Sequence, residues 1–162
     1  MKKIDGLELI EYLKRSILLL DGAMGTYLQK KGMGSGVSPE SFALERPGVL
    51  RDVYKAYMDA GAKAISACTL GANEFKLKEL KIDADVYSVN RRLTELAAQA
   101  AGDRAFVLAD VGSTGMFIAP LGELEFEQAV KAYKEQIRAI ADGGADLIVI
   151  ETMLDIQEAR AS

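Results

Sequence analysis

The side chains in this sequence that can do chemistry recur at one kind of place. Four short apolar runs, at residues 17–20, 64–67, 105–109 and 147–150, lead into Asp21, Cys68-Thr69, Asp110 and Glu151-Thr152. Three of these endings carry a carboxylate, the group that holds an ammonium or another small cation. Each one singly also fits a helix cap or a turn, as Asp21 before Gly22 does. Repetition at four run ends favours a shared binding rim. Two glycine-bearing turns belong to it. Asp21-Gly22-Ala23-Met24-Gly25-Thr26 permits close backbone approach and opens a helix whose first N–H groups favour an anion. Asp110-Val111-Gly112-Ser113-Thr114-Gly115 adds hydroxyls. Carboxylates for an ammonium and N–H groups for a carboxylate together suit a small zwitterion. The first turn lacks the GxGxxG spacing and no Walker-type lysine follows, so a phosphate site is less well supported.

For these residues to share a rim, the runs must be parallel strands whose carboxyl ends point the same way. The runs are continuously apolar rather than alternating, as strands buried on both faces require. Helical periodicity fills the gaps, over residues 48–60, 85–101 and 126–141. Each of these stretches stops at glycine: Gly61, Gly102 and Gly143-Gly144. Asp-Ala-Gly-Ala at 59–62 and Asp-Gly-Gly-Ala at 142–145 read as short helix-to-strand connections. Residues 155–162 read as the opening of a further helix. The glycine-rich stretch 32–39 reads as a surface loop or as a flap over the site. The order is therefore four β/α units in a single partial domain, residues 1–162. Such a chain is either the N-terminal half of a TIM-type β/α barrel or an open doubly wound sheet, and the half-barrel is preferred.

Composition removes several alternatives. The 162 residues contain no histidine, so no Ser-His-Asp or Cys-His triad can form within the chain. One cysteine, Cys68, permits no internal disulfide and cannot build a thiolate zinc site alone. Cys68 reads as a small buried thiol at a strand end. The formal net charge of −4 argues against nucleic acid and anionic membranes as partners. No apolar run approaches the roughly 18 residues that span a bilayer. The start, Met1-Lys2-Lys3-Ile4-Asp5, lacks the apolar core of a secretory leader, so a cytoplasmic protein is expected.

The same residues carry a family resemblance. Leu20-Asp21-Gly22-Ala23-Met24-Gly25-Thr26, followed by Pro39-Glu40-Ser41 and Pro47-Gly48-Val49-Leu50, resembles the start of the homocysteine S-methyltransferase family. Within it, the likeness is strongest to the homocysteine-binding domain of cobalamin-dependent methionine synthases. Cys68-Thr69-Leu70-Gly71-Ala72-Asn73 with Lys76-Leu77, Asp110 to Gly115, and Glu151-Thr152 are similar to later family motifs in the same order. Cys68, Leu70 and Ser113 depart from that pattern, where the family has asparagine, phenylalanine and proline.

The resemblance implies a β/α barrel binding homocysteine at its top, where zinc holds the sulfur as a thiolate that attacks a methyl group. The donor would be methylcobalamin, with 5-methyltetrahydrofolate behind it, or another methyl carrier. It also implies a substrate site of Asp21, Gly22, Ala23, Met24, Thr69, Asp110 and Glu151, with Asp21 and Glu151 on the ammonium. The family's zinc cysteines lie in the barrel's second half and have no counterpart here. The chain therefore reads as the substrate side of the enzyme, inactive alone, binding no cofactor by itself, and either a fragment or a naturally short homologue. Open sheet edges would favour self-association. Two other readings stand beside this one: a non-catalytic half-barrel for binding or assembly, and an unrelated β/α enzyme using Asp21, Asp110 and Glu151 as acid and base.

Overall fold

The computed structural model describes residues 6–82 and 84–162; the Met1–Asp5 start, read above for a leader, lies outside them. Elements follow in the order α1 (Gly6–Arg15), α2 (Met24–Lys30), α3 (Pro39–Glu45), α4 (Pro47–Asp59), β1 (Ala64–Ala67), α5 (Glu74–Glu79), α6 (Val86–Ala101), β2 (Phe106–Val111), α7 (Phe126–Asp142), β3 (Leu147–Ile150) and α8 (Ile156–Ala161). The three long helices begin and end within a residue or two of the sequence reading. Local signals explain why. Asp85 caps α6 by accepting the Ser88 N–H at 2.8 Å, and Gly61 and Gly144 leave their helices at φ of +109° and +92°, a conformation that favours glycine. The sequence reading assigns no element to residues 6–15, where Leu7, Ile10 and Leu13 do recur at helical spacing, and α1 buries none of its residues.

The strands form one parallel sheet in sequential order, β1-β2-β3. Ile65, Ala67, Val107, Ala109 and Val111 face one side, where they join a core with Val53 and Tyr54 of α4, Val89, Leu93 and Leu96 of α6, and Tyr133 and Ile140 of α7. The other side is a separate cluster of Ala64, Phe106 and Leu108 with Leu18, Leu147 and Val149, to which no helix contributes among the described residues. Sequential order with the helices on one side is barrel winding; a doubly wound sheet carries helices on both. The open-sheet alternative is thereby excluded.

The sequence predicts four strands, and three form among the described residues. Residues 17–20 make a single parallel bridge, Leu20 to Ala64. Lys63 N–H donates to the Leu19 carbonyl at 2.8 Å and Asp21 N–H to the Ala64 carbonyl at 3.0 Å, so the segment does lie beside β1. It has no paired strand on its outer side among the described residues, and Ile17 is 87% exposed. A strand paired and covered on one side only has little to hold it extended. No helix among the described residues is long and apolar enough to cross a membrane.

Candidate functional site

Alternation along the strands decides which side chains face the uncovered side of the sheet. On β2 it is Leu108 and then Asp110; on β3 it is Val149 and then Glu151, one residue past the strand; on β1 it is Ser66. These line a cavity of about 480 Å³ at the carboxyl ends of the strands. Asp21, Gly22, Ala23 and Met24 form the wall contributed by the first segment. Thus six of the seven residues singled out as the substrate site surround one space.

Thr69 is the seventh, and it faces elsewhere. Its side chain is fully buried, with Oγ1 donating to the Asp110 carbonyl at 2.9 Å, and its own carbonyl accepts from Gln136 Nε2 at 2.9 Å. It holds the end of β1 against the end of β2 without lining the cavity.

Each wall has a local cause. Asp21 is fixed by the Ser66 N–H, which donates to Oδ2 at 2.8 Å. Gly22 is where the wall passes Tyr57 of α4: a Cβ there would sit 2.9 Å from the tyrosine ring. The Tyr57 hydroxyl donates to the Ala23 carbonyl at 3.0 Å and pins the turn. The glycine-rich stretch that follows is anchored at both ends. Met33 is buried, and Ser38 caps α3 by accepting the Ser41 N–H.

The electrostatics follow from crowding carboxylates in a half-buried space. Burial raises the Asp21 carboxyl, and the Ser66 N–H opposes part of that rise. Asp110 is pushed up to about 7, first by burial, then by the negative charges of Glu151 and Asp21. No lysine or arginine lines this cavity among the described residues. The wall therefore carries an excess of negative charge that a cation would relieve.

Glu40 was not among the candidate site residues, although it stood within a family motif. Glu40 is 5% exposed and lines the same cavity, and its carboxylate accepts from the Ser38 hydroxyl and, at 2.8 Å, from the Gly71 N–H. Nothing local in the sequence marks it, because its key partner is 31 residues away.

The family model for homocysteine S-methyltransferase matches residues 18–162. The chain belongs to that family. The methionine synthases of Mycobacterium leprae and Mycobacterium tuberculosis are each 29% identical to it over 167 aligned residues, covering 96% of this chain and 14% of theirs. The metallated form of the homocysteine methyltransferase MmuM from Escherichia coli superposes with a TM-score of 0.81 at 26% identity, covering 94% of this chain and 60% of that one. The chain thus spans about one seventh of the methionine synthases and three fifths of the MmuM chain. The half-barrel fold class agrees with that superposition.

A homocysteine methyltransferase fold implies zinc, and the donor set here does not fit it. No group of three histidine, cysteine or acidic side chains able to hold a metal occurs among the described residues. Cys68 is buried, and burial together with the charges of Glu40 and Asp110 pushes its thiol well up. A zinc ligand must be a thiolate, so this environment acts in the wrong direction.

Proposed function

We propose that this homocysteine S-methyltransferase chain is a single partial domain that supplies the amino-acid-binding half of the enzyme. Asp21 and Glu151 take the α-ammonium of homocysteine with the Asp110 charge nearby in the same cavity, the Gly22–Met24 turn lies beside its carboxylate, and Thr69 supports the rim from behind. The observation that carries this reading is the convergence of three carboxylates on one cavity that no basic side chain lines among the described residues. The reaction, methyl transfer to the homocysteine thiol to give methionine in a cobalamin- and methyltetrahydrofolate-dependent cytoplasmic enzyme, is proposed for the assembly of which these residues form the substrate side. Alone, the chain binds and does not catalyse.

Calorimetric titration with homocysteine tests the reading, and its pH dependence has a defined sign. Asp110 is mostly protonated at pH 6 and charged at pH 8, since its carboxyl titrates at about 7. Only the charged form attracts an ammonium. Binding is expected to tighten about tenfold from pH 6 to pH 8 by proton linkage, and Asp110→Asn is expected to flatten the profile. Absence of binding at both pH values would overturn the assignment.

A second reading, self-association, rests on the sheet edges. At β3, Ile148 and Ile150 are 42% and 47% exposed, and Leu19 and Leu20 at the opposite edge are exposed as well. Parallel strands with free hydrogen-bonding edges and apolar faces pair readily. Sedimentation is expected to show a dimer, with Ile148→Lys returning it to monomer; a wild-type protein sedimenting as monomer at all concentrations would refute it.

A further inference from the structure

A carboxylate removed from water without an ion pair is costly unless hydrogen bonds replace the solvent. Glu40 is in that position, and no salt bridge to it occurs among the described residues. Both of its oxygens accept, one from Ser38 just before α3 and one from Gly71 just after β1. The approach to Gly71 is close: a Cβ at that residue would lie 2.8 Å from Oε1. Residues 69–71 in turn meet the end of β2. The Gly112 N–H donates to the Leu70 carbonyl at 3.2 Å, and Thr69 Oγ1 donates to the Asp110 carbonyl. A continuous set of contacts therefore runs from α3 through Glu40 and Gly71 to the strand end that presents Asp110. Cys68 and Leu70 line the cavity at the middle of this set.

We propose that Glu40 is a positioning residue, a strap that ties the segment before α3 to the loop after β1 and so fixes the cavity wall carrying Cys68 and Leu70. Its effect on ligand rests on the reading of the cavity as the homocysteine site; the strap itself does not. Glu40 acts through the hydrogen bond to Gly71, and its charge is secondary to that bond.

The only cysteine of the chain reports on the strap directly. In the native protein, labelling of Cys68 by a disulfide reagent such as dithiobis-nitrobenzoate proceeds through local opening. Glu40→Ala is expected to speed this labelling about tenfold, which corresponds to the loss of one hydrogen bond. Glu40→Gln loses the same charge beside Cys68 but its carboxamide oxygen still accepts from Gly71, so it is expected to label several-fold more slowly than Glu40→Ala. Homocysteine affinity should follow the same order, weakened about tenfold by alanine and rescued by glutamine. Should Glu40→Ala not fold, Gly71→Ala strains the same contact from the other side and is expected to speed labelling likewise. Unchanged labelling in both variants would overturn the strap. A glutamine variant as fast as alanine would overturn the primacy of the hydrogen bond. If wild-type protein fails to bind homocysteine, the functional reading falls while the Cys68 rates still decide the strap.

Discussion

Asp21→Asn and Glu151→Gln are each expected to weaken homocysteine binding by about 10- to 100-fold, the loss of one charge-assisted hydrogen bond to an ammonium, and the double variant to abolish measurable binding. The folded state should survive the first substitution. Asparagine retains an oxygen for the Ser66 N–H that Asp21 accepts at 2.8 Å, while the charge that burial disfavours is removed. Binding lost at unchanged or raised melting temperature is thus the expected signature of a ligand contact. Equal losses of binding and stability would mean that Asp21 serves the fold. Binding unchanged in both single variants would mean that the carboxylates are not the ammonium site.

Glu158→Ala is expected to have the largest effect on stability. Glu158 lies in the first turn of α8 and is completely buried. Its Oε1 accepts from the Thr114 N–H at 2.6 Å, the Thr114 hydroxyl at 2.6 Å and the Tyr133 hydroxyl at 2.8 Å, and its Oε2 from the Ser113 hydroxyl at 2.8 Å. Hydroxyls can turn to other acceptors, but the Thr114 N–H cannot. Truncation is expected to cost about 3 kcal/mol, within the range for orphaned buried donors. For a domain of this size that lowers the melting temperature by roughly 6–12 °C. Burial alone would raise the Glu158 carboxyl, yet the hydrogen bonds from Thr114, Tyr133 and Ser113 outweigh it and leave the group below its ordinary 4.5. A depressed folded-state value adds stability above pH 4.5, and that stability is lost as pH falls through the lower folded value. The acid limb of a pH–stability curve should therefore flatten in Glu158→Ala. A variant melting with wild type would show that the loop at residues 113–116 is held by other contacts.

These residues differ in how far the sequence announced them. Asp110 and Glu151 were legible because each follows an apolar run, and period-two alternation places both on the face opposite Val111 and Ile150. Thr69 was a natural candidate by the same logic, but β1 ends at Ala67 and the chain turns at once, with the Thr69 N–H donating to the Ala67 carbonyl at 2.8 Å. Past that turn alternation no longer governs direction, and the hydroxyl points to the back of β2. Glu40 and Glu158 look like ordinary surface acids of short helices. Their burial depends on Gly71 and Thr114, 31 and 44 residues away.

The amino-acid sequence by itself determined the order of the three strands and the three long helices, the glycine stops between them, the acids at the ends of β2 and β3, and the family. All of these rest on interactions within a few residues, where caps, turns and periodicity act. The tertiary structure alone decided that the helices cover one side of the sheet, that residues 17–20 pair by a single bridge, and that three acids share a cavity. It also decided that a fourth acid closes its wall. Those outcomes depend on which distant surfaces meet, and a carboxylate's burial and charge state are set by neighbours that no local pattern specifies.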